Sequence, residues 1–388
     1  MADSTHDLTP RRGPLERLAT WWRGGRKGER PGSKEVRPSS RPRRKKRDAT
    51  REDFVRFALE TAATIEAEGN PVEMHRCTYK LIRSELFERA WELRIRAAAI
   101  TQPSPIPEWD GSDLTDKTIL VRAYTPRDRV GEELRLARFI APVAKQARRC
   151  IVLAESRLVA LLARSFPGVE VRPRGVDDNA AFAEADVGAY YETVAFQTAK
   201  DAEQVRRSFV PLRADPAVAE KLRQRYRVSA DGPLIGIAWG SSNSDKALPD
   251  LKSWAPLLSW PSANFVSLQY GDITRDLEVL QELAGGRIIR DASIDQLVDL
   301  DGFAAQIAAL DAVVAISNTT VDMAGMLGGP TVHIRDDNLS SAIWPRSGPT
   351  PLYPDMIMLY KQRRLWSEVL AEARGHLEKI VATRAEPP

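Results

Sequence analysis

Residues 311–332 read Asp311-Ala-Val-Val-Ala-Ile-Ser-Asn-Thr-Thr-Val-Asp-Met-Ala-Gly-Met-Leu-Gly-Gly-Pro-Thr-Val332 and contain a strand–helix–strand unit. The run 311–316 is short, apolar and β-branched, which is the pattern of a strand buried on both faces. Small polar residues follow it, and Gly328-Gly329-Pro330 ends the predicted helix before a second β-branched run begins. The polar turn therefore lies at the carboxyl edge of a parallel sheet, where open α/β sheets bind ligands and a helix N-terminus offers N–H groups to an anion.

The polar residues of this turn, Ser317, Asn318, Thr319 and Thr320, have two interpretations. They are suited to an anionic ligand, but each is also a common helix-capping residue. Because a fold does not specify a function, this turn alone does not decide between the two.

Length and composition favour a two-domain cytoplasmic protein. The chain has 388 residues, 43% of them hydrophobic, which is more than one typical domain needs. Cys77 and Cys150 are the only cysteines, and neither has the spacing of a metal site or a disulfide framework. The sequence lacks the apolar run of a membrane span and the apolar core of a signal peptide. The four histidines are scattered, so we expect neither a metal nor a cofactor.

The first 49 residues are predicted to be a disordered basic tail. Residues 1–51 contain 16 Lys and Arg against 6 Asp and Glu, whereas the rest of the chain carries a net charge of −6. Such a segment buries too little apolar surface to offset its ordering entropy. Residues 15–23 contain Trp21, Trp22 and two arginines, which suits an anionic membrane surface at the inner face of the membrane; a solvated basic tail is the alternative interpretation. No base-reading module is visible, so we do not expect nucleic acid as a partner.

Residues 50–100 are predicted to form a helical hairpin. Thr50-Arg-Glu-Asp53 resembles a capping box, and Phe54, Phe57 and Ala58 begin a helical apolar stripe. Gly69-Asn70-Pro71 breaks this helix, and a second one is expected to continue to about Ala98.

Two α/β domains are predicted to follow, over residues 101–228 and 229–388. Strands alternate with helices in both parts, which indicates parallel sheets covered on both faces. The predicted strands are 118–124, 150–154, 169–171, 234–239, 265–268, 288–289, 311–316 and the run that begins at Thr331. Because the pattern restarts after residues 211–216, we expect a cleft between two domains of similar size.

Three loops at predicted strand ends, 125–132, 240–247 and 317–322, are expected to face this cleft. In the second loop, Gly240, Ser241 and Ser242 allow close approach of a phosphate and offer hydroxyl donors, and Lys246 supplies a positive charge. The same residues also suit an ordinary turn, which remains the alternative interpretation of this loop.

The body of the chain resembles the domain found in heptosyltransferase-like, family 9 bacterial proteins, especially those fused to tetratricopeptide repeats. The matching stretches occur in family order: Ile106–Ser112, Gly131–Ile140, Leu212–Pro216, Ile235–Gly240, Phe265–Gln269, Asp299–Asp311, Asn318–Val321 and Leu352–Met356. The resemblance implies an α/β fold of the glycosyltransferase-B (GT-B) type, with two Rossmann-like domains facing a cleft, and the hairpin as a remnant of the repeats.

The resemblance also implies a function, namely metal-independent inverting transfer from a nucleotide-sugar donor to an unidentified acceptor, a glycan or a protein. The donor would bind to the C-terminal domain and the acceptor to the N-terminal one. Where the family has Gly-x-Gly-Asp, with the aspartate as base, this chain has Arg129-Val-Gly131-Glu132. Glu132 is therefore the expected catalytic residue, and Gly131 an expected binding residue.

Two further positions depart from the family pattern. Ser317 replaces an aspartate, and Asp322 replaces a histidine. We count both, with Asn318, Thr319 and Thr320, among the expected substrate-binding residues. Three hypotheses remain open: an active glycosyltransferase, a catalytically silent binding module of the same fold, and a membrane- or nucleic-acid-surface binder whose α/β body is a scaffold.

The basic tail gives the first prediction. The full chain should bind vesicles that contain anionic lipid, and binding should weaken with salt because screening shortens to about 8 Å at physiological ionic strength. Vesicle co-sedimentation of the full chain and of a variant without residues 1–49 measures this. Binding that survives the deletion would place the membrane contact elsewhere.

Overall fold

The computed structural model describes residues 50–124, 130–228, 232–242, 246–336, 343–345 and 347–385. The predicted disordered tail lies outside the described residues, as do parts of the first two predicted loops, at 125–129 and 243–245.

Three helices precede the first sheet, one more than the predicted hairpin contains. They are α1 (Arg51–Glu68), α2 (Pro71–Arg83) and α3 (Phe87–Thr101). The predicted capping box at Thr50 is present, and Gly69 ends α1 in the left-handed conformation. The prediction of one continuous second helix is wrong because Glu85 also adopts a left-handed φ of 60°. The N–H of Leu86 then donates to the carbonyl of Leu81, which closes α2 before α3 begins.

The first sheet has four parallel strands in the order β3-β2-β1-β4. The strands are β1 (Thr118–Arg122), β2 (Arg149–Ala154), β3 (Glu170–Pro173) and β4 (Val187–Tyr190). The helices of this part are α4 (Val130–Leu136), α5 (Ile140–Ala144), α6 (Val159–Ser165), α7 (Asp178–Glu184), α8 (Tyr191–Thr198) and α9 (Ala202–Arg207), with short 3-10 turns at Ala137–Phe139 and Ser156–Leu158. All five residues of β1 are buried, as expected for a central parallel strand.

The second sheet has six parallel strands in the order β10-β9-β8-β5-β6-β7. The strands are β5 (Leu234–Ala238), β6 (Asn264–Ser267), β7 (Ile288–Ile289), β8 (Ala312–Ala315), β9 (Thr331–Arg335) and β10 (Met356–Tyr360). The helices are α10 (Pro216–Val228), α11 (Ala255–Leu258), α12 (Thr274–Ala284), α13 (Leu300–Ala308), α14 (Thr319–Met326) and α15 (Trp366–Ala385), with a 3-10 turn at Leu251–Trp254.

The two parallel sheets confirm the predicted fold class, and each predicted strand is present to within about two residues. Strands β4 and β10 and helices α7, α8, α9 and α15 were not predicted from the sequence. Strand β4 has only four residues, too few to show a clear hydrophobic pattern. The domain boundaries themselves stay predictions. None of the helices in the described part of the chain is long and apolar enough to cross a membrane.

Helix α14 packs closely because it carries a glycine where it meets Tyr353. A Cβ atom at Gly325 would lie 2.8 Å from the ring of Tyr353 and 2.9 Å from the Met356 methyl group. By contrast, a Cβ atom at Gly375, in the middle of α15, would have no atom within 4 Å.

We therefore expect alanine to have opposite effects at these two helical glycines. Gly325→Ala should lower the free energy of unfolding by about 1–2 kcal/mol, because overpacking outweighs the helix propensity of alanine. Gly375→Ala should raise it by about 0.5–1 kcal/mol, because only the propensity changes. Urea denaturation followed by circular dichroism measures both, and a stabilising Gly325→Ala would contradict the close packing.

Candidate functional site

The turns after β5 and β8 are joined at the carboxyl edge of the second sheet. Asn318 caps α14, since its Oδ1 accepts a hydrogen bond from the N–H of Val321 at 3.4 Å. Its Nδ2 donates to the carbonyl of Gly240 at 3.1 Å. One side chain therefore fixes both the start of the helix and the position of the neighbouring turn.

Lys246 connects the same two turns from the other side. Its ammonium group donates to Ser241 Oγ at 2.8 Å and to the main-chain oxygen of Ser317. Burial lowers the pKa of Lys246, and the nearby carboxylate of Asp322 opposes this shift. Ser242 is exposed beside them, and its N–H donates to the hydroxyl of Tyr270 at 2.9 Å. The structure thus brings together Gly240, Ser241, Ser242, Lys246, Ser317 and Asn318, as the sequence predicted.

Two side chains that the sequence analysis did not select hold these turns in place. Gln269 Oε1 accepts from the N–H groups of Trp239 and Gly240, at 3.0 and 2.7 Å. His333 Nε2 lies 2.7 Å from Ser317 Oγ, and burial lowers the pKa of His333 well below its usual range, so the ring is neutral. Gln269 follows β6, and His333 lies in β9 near its carboxyl end. Because ligands bind at this edge of parallel sheets, the position of both residues relative to predicted strands could have indicated them from the sequence.

Asp322 connects the two domains rather than facing open solvent. Its Oδ2 accepts from Arg135 Nη1 at 2.6 Å, and its Oδ1 accepts from the hydroxyl of Tyr353 at 2.9 Å. Burial raises the pKa of Asp322, and Arg135 opposes this. Gly131 is at the same contact, because a Cβ atom there would lie 2.7 Å from Asp322 Oδ2 and 3.6 Å from Thr319 Oγ1. Thr320, in the same helical turn, is buried.

Glu132 points toward the N-terminal helices and is nearly inaccessible to solvent, although it lines a crevice between those helices and both domains, which corrects the expected position of the catalytic residue. Its side chain is 2% exposed and accepts from Arg94 of α3. His75 Nε2 lies 3.7 Å from its Oε2, and the hydroxyl of Tyr79 lies 3.4 Å from its Oε1. Burial alone would raise the pKa of Glu132, but Arg94 reverses this and lowers it to about 2. A carboxylate so stabilised is a weak base, and its predicted catalytic role stays a prediction that requires this pair to open.

Arg94 is shared with a second buried carboxylate, Glu192 of α8. Arg94 Nε lies 2.8 Å from Glu192 Oε1, and both side chains are nearly inaccessible to solvent. Burial raises the pKa of Glu192, whereas Arg94 opposes it. One guanidinium thus joins α3 to α4 and α8.

The space beside Lys246 is small. A crevice of about 210 Å³, including the part open to solvent, is lined by Lys246, Ser317, Arg335 and Trp366 among others. Ligand sites for small molecules usually measure about 300–1,000 Å³, so this crevice, whose described lining residues all follow β5, is smaller than a typical ligand site. Within the described residues, no group of three His, Cys, Asp or Glu side chains is placed to hold a metal ion.

The Arg94 cluster gives a stability prediction. Arg94→Met should lower the free energy of unfolding by about 3–5 kcal/mol, because it leaves two buried carboxylates without their cation. Arg96→Met is the matched control, since Arg96 lies on the same helix as Arg94 and pairs with Glu66 of α1, but is 56% exposed. The control should cost less than about 1 kcal/mol. Equal losses in urea denaturation would show that the Arg94 cluster does not stabilise the fold.

Comparison with known proteins gives one relative by sequence and several by structure. No family model matches the sequence. The chain is 26% identical over 356 residues to Protein FlbA of Caulobacter vibrioides, covering 83% of this chain and 58% of that relative. The chain therefore spans less than two thirds of the length of the curated relative it matches.

Several of the structural relatives are glycosyltransferases. The glycosyl transferase family 9 protein from Veillonella parvula superposes with a TM-score of 0.50 at 12% identity, covering 70% of this chain and 99% of that one. The ADP-heptose lps heptosyltransferase II of E. coli has a TM-score of 0.49 at 14% identity, covering 68% of this chain and 99% of that one. The likeness to the Veillonella protein and the two parallel sheets show that this chain has a heptosyltransferase-like GT-B fold.

Proposed function

We propose that the protein is a glycosyltransferase that uses a nucleotide-activated sugar and binds this donor at the carboxyl edge of the second sheet. The observation that carries the proposal is the convergence of the turns at Gly240 and Asn318 on Lys246. In open α/β sheets this edge is the usual ligand site, and here it holds a cation beside a helix N-terminus.

Each group at this edge has a role that suits a diphosphate. Lys246 bonds only neutral oxygens within the described residues, so its charge is available to an anionic ligand. Ser241 and Ser242 supply hydroxyl donors, and Gly240 lets the ligand approach the backbone. Lys246 and the first turn of α14 would stabilise the departing nucleoside diphosphate without a metal, in an inverting transfer to an acceptor on the first domain.

A second candidate function is a silent binding module that holds a nucleotide sugar but does not transfer it. The burial of Glu132 against Arg94 favours this candidate, because the expected base is neither accessible nor basic. The two candidates share the donor site and differ in whether the sugar is transferred: in a transferase the acceptor hydroxyl loses its proton and bonds the sugar, and the nucleoside diphosphate leaves.

The donor site predicts the effect of removing its cation. Lys246→Ala should weaken the binding of nucleoside diphosphates by about one to two decades, because a charge-assisted hydrogen bond is worth roughly 1.5–3 kcal/mol. Isothermal titration calorimetry against the common nucleoside diphosphates measures the affinity. Lys379→Ala, an exposed lysine on α15, is the matched control and should bind as the wild type does. Wild-type protein that binds none of these ligands at millimolar concentration would end the proposal.

Transfer distinguishes the two candidates. Nucleoside diphosphate release from the bound donor, with and without a pool of cellular glycans and proteins, is measured for the wild type and for Glu132→Gln. If Glu132 is the base, the variant keeps its donor affinity and loses turnover. If the protein is a silent module, the wild type binds the donor but releases no diphosphate with any acceptor.

A further inference from the structure

Three cations and one carboxylate lie together between the two sheets, and we call them the interdomain charge cluster: Arg135, Arg138, Lys246 and Asp322. Asp322 bonds Arg135 at 2.6 Å, and its charge also acts on Lys246 and Arg138. The next carboxylate, Glu132, is already paired with Arg94. Among these four described residues, three positive charges therefore surround the single carboxylate of Asp322.

Arg138 shows this excess most clearly. Its side chain is fully buried, and its Nε donates to the carbonyl of Arg135 at 2.9 Å. Its guanidinium carbon lies 5.5 Å from the ring of Phe209 and 5.3 Å from that of Tyr353, and its Nη2 lies 3.5 Å from Met326 Sδ. Within the described part of the chain, Nη1 has no hydrogen-bond partner. A buried cation without a carboxylate is costly, and burial lowers the pKa of Arg138 to about 10.

The two arginines of the cluster border open space. A crevice of about 370 Å³, counting the part open to solvent, is lined by Arg135, Arg138, Arg94, Glu132 and Leu352 among others. It lies where the three N-terminal helices α1, α2 and α3, which we call the helical layer, meet both domains. An anion entering this crevice would thus meet Arg135 and Arg138, and Asp322, which bonds Arg135, also acts electrostatically on Lys246.

Asp322 already occupies the position of an anion in this cluster. It lies in the first turn of α14, where the helix dipole favours negative charge, and it holds the cation nearest to it. A diphosphate bound by Lys246 would approach the same helical turn and would be repelled by this carboxylate.

We propose that Asp322 is a built-in counter-ion that occupies Arg135 in the free protein and competes with the diphosphate of the donor for it. The proposal rests on the donor site proposed above and adds how that site discriminates. When the diphosphate binds, Arg135 changes its partner from Asp322 to a phosphate oxygen. The domain contact made by Asp322 opens in the same step, because Arg135 belongs to α4 and Asp322 to α14. The affinity for donor is therefore held below what the three cations alone would give.

The test uses inorganic pyrophosphate, which carries the diphosphate but is independent of the unidentified base and sugar. Calorimetry on the full chain compares the wild type with Asp322→Asn, which keeps the shape of the side chain and removes its charge. We expect pyrophosphate to bind at least tenfold more tightly to the variant, because a like charge is removed and Arg135 is released. Circular dichroism checks the folding of this variant. If it folds poorly, Asp322→Ser replaces it and should likewise bind pyrophosphate at least tenfold more tightly than the wild type. In Asp322→Asn/Arg135→Met, the gain should disappear.

The matched control is Asp301→Asn. Asp301 of α13 binds Arg164 of α6 through two hydrogen bonds, at 2.6 and 2.7 Å, so it forms another Arg–Asp pair between the two parts of the chain. This variant should leave pyrophosphate affinity unchanged.

The outcomes separate the two proposals. Unchanged or weaker binding in both folded Asp322 variants, with binding still lost in Lys246→Ala, would overturn the counter-ion and keep the donor site. Tighter pyrophosphate binding that persists in Asp322→Asn/Arg135→Met would also overturn the counter-ion proposal. If the wild type, Asp322→Asn and Asp322→Ser all bind no pyrophosphate at millimolar concentration, both proposals fail.

Discussion

The structure depends on one guanidinium, that of Arg94, which is buried between the helical layer and the first sheet. A buried ion pair stabilises a fold only if its desolvation is repaid by close and well-oriented partners. Arg94 has two carboxylate partners on separate helices, Glu132 on α4 and Glu192 on α8. The helical layer is therefore part of the same folded unit as the first sheet, and α4 is fixed at the position from which it contacts the second domain.

This arrangement makes the two sides of the cleft chemically unlike. On the second sheet, Lys246 and the turns at Gly240 and Asn318 present donors and a positive charge to an incoming ligand. Beside the first sheet, Glu132 of α4, which replaces the family's catalytic aspartate, points toward the helical layer and pairs with Arg94. A carboxylate with a pKa near 2 is ionised throughout the physiological range and accepts protons poorly. The edge of the second sheet thus offers a cation and hydrogen-bond donors, whereas the carboxylate near the first sheet is already neutralised by Arg94.

The sequence predicted the parts of this structure that follow from local patterns. The strands carry short apolar runs, and the carboxyl ends of parallel strands share one edge, so the meeting of Gly240, Lys246 and Asn318 follows from topology. The position of Glu132 could not be predicted, because its partner Arg94 is 38 residues away and belongs to a different layer. The Arg135–Asp322 pair spans 187 residues, and no pattern in either segment indicates the other. The break at Glu85 was missed because glutamate seldom adopts a left-handed φ.

The glycine at position 131 affects how closely the two domains approach each other. At this position the surface of α4 that meets α14 is bare backbone, since even a methyl group would collide with Asp322. On either side of it, α4 and α14 contribute apolar side chains such as Leu134 and Val321 to one shared core. Arg135 of α4 reaches Asp322 across the gap that the glycine leaves, at 2.6 Å. Any side chain introduced at position 131 would therefore have to displace the carboxylate that joins the two domains, so a local change of volume would be felt as a change in an ion pair.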